Sequence, residues 1–341
     1  MRQTIAVVHN AVRDSSLPDE QDVLTQVKVV SQAVEQLGYE PVAVPCSLDL
    51  EALKKVLAEL QPMAVFNLVE SLDGHGRLIH VVPALVEALG IPYTGCPAEA
   101  VYATSHKVMA KERMRAAGLP TADWINPMPP DIPWAGAAAA GESKSWGGAS
   151  AQGVWIIKSL WEHASLGLEQ ENLVTGTPET IALLLTGRAR DLGGACFAER
   201  FIEGREFNLS LIGMGDTVRV LPPAEILFKG FGDDKPKIVG YRAKWIPEAD
   251  EYHNTPRCFD FPARDAALLF TLEDLACRCW RCFGLRGYAR VDFRVDVSGN
   301  PFILEVNTNP CISPDAGFAA ALDRAGIPFS DCVARILDQC F

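Results

Sequence analysis

Short apolar runs alternate with amphipathic segments from the start of the chain to Gly95. A β-branched run at residues 5–8 predicts a strand, and apolar positions at helical spacing over 22–36 predict a helix that ends before Gly38. The same alternation predicts strands at 41–44, 64–69 and 91–94 and helices at 50–60 and 78–89. This order favours a mostly parallel, doubly wound sheet that binds ligands at the carboxyl ends of its strands.

The pattern changes after this region. Ser105 is in position to cap a helix that runs to Ala117, with Gly118 at its end. Residues 127–153 are rich in Pro, Ala, Gly and Ser, and we expect them to form a mobile surface insertion. An apolar run at 154–157 then marks the return of ordered structure.

The most informative pattern lies in residues 287–307. They predict two strands around a Ser-Gly turn, which is typical of a hairpin. With a two-residue Ser-Gly loop, Asp292 faces Glu305 and Arg290 faces Asn307. The alternation of side chains along a strand then places all four on one side of the hairpin.

Two carboxylates that face each other, with Cβ atoms about 4.5–5.5 Å apart, repel and destabilise the hairpin. A cation between them removes the repulsion, and the oxygen ligands Asp292, Glu305 and Asn307 suit Mg²⁺. Arg290 nearby suits an anionic reacting group. The spacing also allows a solvent-facing hairpin in which Asp292 pairs with Arg290 or Arg294. A register shifted by one residue would break the arrangement.

Two other segments carry weaker signals. Lys158 follows the apolar run 154–157 and precedes a glycine-containing loop, from which a lysine can hold phosphate. On its own this signal is weak, and an ordinary surface lysine is the default expectation for Lys158; Lys107 could likewise be a solvated residue of a helix. Residues 199–207 form a strand–turn–strand pattern. Its backbone edge could bind a planar base, although nothing in the pattern requires such a ligand.

Composition excludes several classes of protein. There are 43 acidic and 31 basic side chains, and the net charge of −12 argues against wrapping nucleic-acid backbone. No apolar run reaches the roughly 18 residues of a membrane-spanning helix. No Gly-x-Gly-x-x-Gly follows the first strand, which disfavours a Rossmann-type dehydrogenase. The first residues fit a strand better than a secretory signal, so we expect a cytoplasmic protein without nucleic-acid or membrane partners.

The ten cysteines are spread through a chain with 48% hydrophobic residues, enough to build its own core. Reduced thiols in a cytosol are therefore expected. Cys277, Cys279 and Cys282 lie in a segment of helical composition, where the last two share a face and Cys277 points elsewhere. With no fourth ligand nearby, small buried thiols are favoured over a zinc site.

Taken in order, these motifs resemble the ATP-grasp superfamily, and most closely the D-alanine–D-alanine ligase family. Two blocks carry the resemblance, which covers most of the chain. One is Gly-Ile-Pro-Tyr-Thr-Gly at 90–95, with Lys107 and Ala-Ala-Gly-Leu-Pro at 116–120. The other is Arg-Val-Asp at 290–292, with Leu-Glu-Val-Asn-Thr-Asn-Pro at 304–310.

The resemblance implies a three-domain ATP-grasp fold that is α/β, and α+β in parts. An N-terminal pre-ATP-grasp domain with the doubly wound parallel sheet would span 1–96. A central subdomain would span 97–200, and a C-terminal subdomain with the metal site would span 201–341. ATP would lie between the central and C-terminal subdomains.

The resemblance also implies roles for individual residues. Phosphates of ATP would contact Lys107, Lys158 and Lys244, the adenine would lie among Glu199, Arg200, Phe201 and Ile202, and the ribose would bind Glu206. Mg²⁺, with Mn²⁺ as the alternative ion, would be held by Asp292, Glu305 and Asn307. Arg290 would stabilise a tetrahedral intermediate, and Glu20 and Ser165 would complete the catalytic site.

The implied activity joins a carboxylate to an amine through an acyl phosphate, with release of ADP and phosphate, and its partners are small amino-acid-like substrates. Family members are often homodimers. The family pattern is altered where the amino acids would bind: Glu70-Ser71 replaces His-Gly, residues 163–167 read His-Ala-Ser-Leu-Gly instead of Gly-Ser-Ser-Val-Gly, Trp245 replaces a tyrosine and Cys311 a glycine. The alternatives are a ligase for another amino acid, hydroxy acid or peptide pair, and a non-catalytic ATP-binding module.

Overall fold

Three β-sheets organise the part of the chain that the computed structural model describes. The described residues are 2–13, 16–126, 152–165, 167–188, 192, 194–232 and 235–341. Of the predicted insertion at 127–153, all but the last two residues lie outside this description. The predicted domain boundaries at 96 and 200 stay predictions.

The first sheet is parallel, with β1 (Thr4–Asn10) between β2 (Glu40–Cys46) and β3 (Ala64–Asn67). Helices α1 (Pro18–Gln36), α2 (Leu50–Leu60) and α3 (Val81–Ala88) follow the three strands. Ile5 and Val7 pack in one apolar cluster with α1, and Ala6 and Val8 pack in another with α2 and α3. Both faces are covered, so the predicted doubly wound sheet is confirmed.

Local chemistry accounts for the bounds of α2. The side chain of Asp49 accepts a hydrogen bond from the amide of Ala52 at 3.0 Å and caps the first turn. Leu53 and Leu57 are buried one turn apart on the sheet side. Gln61, in the left-handed region at φ +44°, ends the helix.

The second sheet is antiparallel, in the order β4 (Trp124–Ile125), β7 (Cys196–Arg200), β5 (Gly153–Ser159) and β6 (Leu173–Gly176). Helix α6 (Pro178–Arg188) buries Ile181 and Leu185 against it. Two helices, α4 (Ala98–Ser105) and α5 (Lys107–Ala116), precede the sheet.

The predicted cap at Ser105 is wrong. Ser105 is the last residue of α4, so its backbone is helical and its side chain is not placed to cap the next helix. His106 stands between the helices, and its Nδ1 accepts a hydrogen bond from the amide of Met109 at 3.0 Å. Capping of α5 therefore falls to the residue that precedes Lys107.

The third sheet is also antiparallel, with β11 (Arg257–Cys258), β10 (Ala224–Ile226), β8 (Gly204–Met214), β12 (Tyr288–Asp296) and β13 (Pro301–Asn307) in spatial order. β9 (Thr217–Val220) pairs with the carboxyl end of β8. The remaining helices are α7 (Tyr241–Trp245), α8 (Asp250–His253), α9 (Ala266–Phe283), α10 (Gly317–Arg324) and α11 (Phe329–Asp338). α9 packs on this sheet, whereas α10 and α11 share an apolar cluster with α1 and β1.

The hairpin of β12 and β13 has the predicted pairing where the candidate chemistry lies. Asp292 pairs with Glu305 and Arg290 pairs with Asn307, so that part of the register is confirmed. The loop differs: Val295 pairs with Pro301, so three residues, 297–299, form the loop instead of the predicted Ser298–Gly299. A bulge in the pairing after Asp292 takes up the difference of one residue.

None of the helices in the described residues has the length and apolar character needed to cross a bilayer. All ten cysteines are free of disulfides. In the part of the chain that the structure describes, no three His, Cys, Asp or Glu side chains converge as metal ligands. The three clustered cysteines lie on α9, where Cys279 is buried and Cys277 and Cys282 are partly exposed.

Candidate active site

A cleft lies between the second and third sheets and encloses about 880 Å³, counting its open mouth. Its walls come from β5 and the loop after it, from β7 and the link to β8, from α7 and from the β12–β13 hairpin. Most of the residues singled out from the sequence line this one cleft: Lys107, Lys158, Ser165, Glu199, Arg200, Phe201, Ile202, Glu206, Lys244, Asp292 and Glu305.

A buried ion-pair group stands at the centre of the second sheet. Glu199 is 1% exposed, and its Oε2 lies 2.7 Å from Nζ of Lys111, while its Oε1 pairs with Nζ of Lys158. Burial alone would raise the pKa of Glu199, but the two lysines outweigh it and lower the pKa to about 2. Glu199 is therefore ionised at neutral pH and holds Lys158 at the cleft.

Sequence reasoning missed Lys111. Its side chain is 1% exposed, and besides the ion pair its Nζ donates to Oγ1 of Thr121 at 2.8 Å and to the carbonyl of Ala122 at 3.3 Å. The available signal was its place on the apolar face of α5, one turn after Lys107, where Val108 and Met114 are also buried.

The hairpin carboxylates have unequal surroundings. Asp292 receives two hydrogen bonds from the guanidinium of Arg290, at 2.7 and 2.8 Å, and one from Nδ2 of Asn208 at 2.8 Å. The same guanidinium lies 3.9 Å from Oε1 of Glu305. The pairing of Asp292 with Arg290 that the sequence allowed therefore exists, and it coexists with the facing carboxylates.

Three lysines lower the pKa of Glu305. Burial raises the pKa of Glu305, but Lys244, Lys107 and Lys158, together with Arg290, hold it well below its usual range. Burial lowers the pKa of Lys107 to about 8, and Glu305 opposes that shift. This end of the cleft combines anionic oxygens with several cations, which suits a metal ion and phosphate groups together.

The donor set fits Mg²⁺. It offers two facing carboxylates and one amide oxygen, and a hard cation that keeps waters and phosphate oxygens needs no further protein ligands. Asn307 faces Arg290 in the register but does not line the cleft. Its Oδ1 accepts the amide of Asn309 at 3.0 Å, and a carbonyl oxygen of this kind retains a second lone pair.

Glu206 also lines the cleft, beside an arginine that the sequence does not assign to the site. NH1 of Arg294 lies 3.6 Å from Oε2 of Glu206, and the guanidinium lies over the ring of Phe201, 5.3 Å from its centroid. Burial raises the pKa of Glu206, and Arg294 opposes the shift. β8 begins at Gly204 with φ +147°, where an added Cβ would lie 2.0 Å from the carbonyl oxygen of Val295.

Glu20 lies outside the cleft. Its Oε2 accepts a hydrogen bond from the amide of Leu17 at 3.1 Å, at the first turn of α1. Two residues later, Asp22 accepts hydrogen bonds from Oγ of Ser313 at 2.9 Å and from Sγ of Cys311 at 3.0 Å. The role inferred for Glu20 stays a prediction, and Asp22 is the acidic residue of α1 that reaches the loop after β13.

A second contact of α1 involves Glu70, one of the altered positions. Nε2 of Gln26, which is 2% exposed, donates to Oε1 of Glu70 at 2.8 Å and to Oδ2 of Asp22 at 3.3 Å. Burial raises the pKa of Glu70 to about 7, and nearby Asp22 adds to the shift. Sequence reasoning missed this network, although polar residues four apart on a helix with a buried face were its signal.

The loop after β5 is tied to neighbouring segments. Oγ of Ser165 donates to the carbonyl of Val239 at 3.0 Å, and Nε1 of Trp245 donates to the carbonyl of Ala164 at 3.1 Å. Ala164 and Ser165 both adopt left-handed backbone angles, at φ +60° and +61°. The altered residues Ala164 and Trp245 are therefore in contact with each other.

Comparison with known proteins gives concordant matches. The family model described as D-ala D-ala ligase C-terminus matches residues 114–338. The uncharacterized protein y4sG of Sinorhizobium fredii is 28% identical over 320 residues, covering 91% of this chain and 85% of that protein. The D-alanine–D-alanine ligase of Synechococcus sp. (strain JA-2-3B'a(2-13)) is 30% identical over 321 residues, covering 92% and 86%.

Solved structures match over nearly the whole length. The D-alanine–D-alanine ligase from Bacillus anthracis complexed with ATP has a TM-score of 0.69 at 21% identity, covering 99% of this chain and 97% of that chain. The D-alanyl-alanine synthetase A from Vibrio cholerae has a TM-score of 0.72 at 16% identity, covering 99% and 98%. At these identities the likeness shows a shared fold.

Proposed function

Since the chain belongs to the D-alanine–D-alanine ligase family, whose members are ATP-dependent ligases that form C–N bonds, we propose that it activates a carboxylate as an acyl phosphate and joins it to an amine. The observation that carries this proposal is the convergence of Lys107, Lys158 and Lys244 on the facing carboxylates Asp292 and Glu305 in one cleft. A cleft of that composition fits a nucleotide with its phosphates at the hairpin end.

The chain's own residues would orient ATP and balance its charge. The link between β7 and β8, with Glu199, Arg200, Phe201 and Ile202, would hold the adenine, and Glu206 would hold the ribose hydroxyls. The three lysines would contact the phosphates. Asp292, Glu305 and Asn307 would hold Mg²⁺, which offsets charge on the transferring phosphoryl group when bound.

In the proposed reaction, a substrate carboxylate oxygen attacks the terminal phosphorus, and the bond to the bridging oxygen breaks with release of ADP. An amine then attacks the acyl carbon, the C–O bond to phosphate breaks, and the nitrogen loses a proton. Arg290, which lies between Asp292 and Glu305, would stabilise the negative oxygen of the tetrahedral intermediate. The protein's contribution is positioning and charge stabilisation.

D-Alanine, the substrate in the names of these related ligases, is the first candidate for this chain. Glu70 and Cys311, two of the altered positions, are joined through Asp22 and Gln26 in one hydrogen-bonded network. Substitutions there would alter which carboxylate and amine are accepted without changing the ATP half of the site.

Release of ADP tests the proposal. Purified protein is incubated with Mg-ATP and panels of D- and L-amino acids, singly and in pairs, and products are identified by mass spectrometry. ADP release and a dipeptide with D-alanine alone support D-alanine as both substrates. Turnover with another pair supports ligation with different substrates, whereas nucleotide binding without ADP from any acceptor contradicts ligation and indicates a non-catalytic module.

A further inference from the structure

His163 is a cleft residue that the proposed mechanism does not use. It lies in the loop after β5 and lines the same cleft as Lys107, Lys244 and Glu305. Its Nε2 is buried and has no hydrogen-bond partner among the described residues. Buried polar atoms are nearly always hydrogen-bonded, so an unpaired one that borders a ligand cleft calls for a partner that the ligand supplies.

The position of the imidazole is fixed by its neighbours. Nζ of Lys107 donates to the carbonyl of Glu162 at 2.6 Å, and the side chain of Glu162 accepts the amide of Gly76 at 3.1 Å. A Cβ added at Gly76 would lie 3.2 Å from Cδ2 of His163, so the glycine leaves room for the ring. The ring is therefore held between the loop after β3 and the cleft.

The surroundings keep this ring neutral. Burial lowers the pKa of His163 to about 4, with Lys107 and Lys244 adding to the shift and Glu305 opposing it. A neutral imidazole carries one N–H and one acceptor nitrogen. An acceptor at Nε2 would suit a lysine, yet neither Lys107 nor Lys244 bonds to it in the described chain. In the other tautomer Nε2 carries the proton and needs a hydrogen-bond acceptor, and phosphoryl oxygens can only accept.

We propose that His163 binds the terminal phosphoryl group of ATP, with Nε2–H as a directional donor beside the lysines. The proposal rests on the proposed function, because it takes the hairpin end of the cleft as the phosphate end. The imidazole adds a hydrogen bond without adding another positive charge to those of the three lysines. It would distinguish a nucleoside triphosphate from a diphosphate.

Calorimetric binding of two nucleotides tests this assignment without turnover. Wild type and variants are titrated with Mg²⁺ plus adenylyl imidodiphosphate, and separately with Mg²⁺ plus ADP. His163→Ala should weaken binding of the triphosphate analogue about tenfold or more and leave ADP within about twofold, because a hydrogen bond to a charged group is lost. His163→Gln keeps an N–H donor and should recover part of the loss.

The matched control is His253→Ala, since His253 is exposed on α8 and does not line the cleft. It should leave both affinities unchanged. Equal weakening of both nucleotides by His163→Ala, or no change in either, overturns the assignment. If the alanine variant unfolds, His163→Leu, which also lacks a donor but leaves less empty volume, carries the same comparison. A wild-type protein that binds neither nucleotide refutes the proposed function, and this inference with it, whereas an unchanged affinity ratio refutes only the inference.

Discussion

Replacing Lys111 by methionine should destabilise the fold, because buried Glu199 then keeps its negative charge with one cation fewer beside it. The change removes the cation 2.7 Å from Glu199 and keeps most of the side-chain volume, and both residues are almost fully buried. Breaking a buried ion pair from one side costs about 3–5 kcal/mol, because the remaining charge stays buried. Lys158 still pairs with Glu199, so the lower end applies, and we expect a loss of about 3 kcal/mol in the free energy of unfolding.

The depressed pKa of Glu199 bounds the pH-dependent part of this loss. This pKa falls from 4.5 to about 2 on folding, and each unit corresponds to about 1.4 kcal/mol, so Lys111 and Lys158 together contribute about 3.5 kcal/mol beyond the cost of burial, of which Lys111 supplies a share. Because the folded pKa is depressed, this contribution is complete above pH 4.5 and is lost as pH falls toward 2. The difference between wild type and Lys111→Met should therefore shrink between pH 7 and pH 3.

Urea denaturation, followed by tryptophan fluorescence and by circular dichroism, measures the effect at both pH values. The control is Lys54→Met, because Lys54 is half exposed and pairs with the exposed Glu51 at 3.4 Å. That substitution should change the free energy of unfolding by less than about 0.5 kcal/mol. A loss below about 1 kcal/mol for Lys111→Met, or an equal loss at pH 3, would refute the reasoning.

Three further outcomes are expected. Glu305→Gln should lower the rate of ADP release at least about hundredfold while costing far less in folding, because it removes one metal-facing charge; turnover at the wild-type rate contradicts the metal assignment. Protonated Glu70 should contribute stability that is complete below pH 4.5 and is lost as pH rises to about 7, because the folded chain keeps a proton that the unfolded chain releases. Glu70→Gln should abolish this contribution, and a change in denaturation midpoint between pH 5 and pH 8 equal to that of wild type would count against it. Gly204→Ala should cost about 2 kcal/mol or more, since its Cβ meets the backbone of Val295, whereas Gly215→Ala, also at positive φ but with open space, should cost about 1 kcal/mol; equal losses in thermal unfolding would exclude the clash.

The sequence predicts best where structure is local. Helix α2 has its predicted bounds because a capping aspartate, two leucines one turn apart and a left-handed end all lie within residues 49–61. The prediction that Ser105 caps a helix was wrong because two helices meet there, and the pattern of the second helix does not show where the first one ends. The predicted length of the hairpin loop was one residue too short. Gly299, at φ +86°, allows a three-residue loop, and the bulge after Asp292 takes up the extra residue in the pairing.

For the candidate site, too, the sequence predicts the residues that lie in local motifs and misses those that depend on distant partners. Residues in recognisable motifs, such as Lys158 and Glu305, line one cleft, and their inferred roles stay predictions. Lys111 and Asp22 were missed because a charged residue on a helix is normally solvated, and their partners lie far away in the chain. The bond between Asp22 and Ser313 spans 291 positions, a separation that no local pattern predicts.

Three of the hydrogen bonds of the loop after β5, from Gly76 to Glu162, from Trp245 to Ala164 and from Ser165 to Val239, have a kinetic consequence. They join that loop to the segment after β3 and to α7 and the segment before it, so the loop moves away from all of these segments only when all three bonds are broken. Loop motions of this kind occur in microseconds to milliseconds. We therefore expect the observed rate of nucleotide association to reach a plateau at high concentration, set by the opening of the loop.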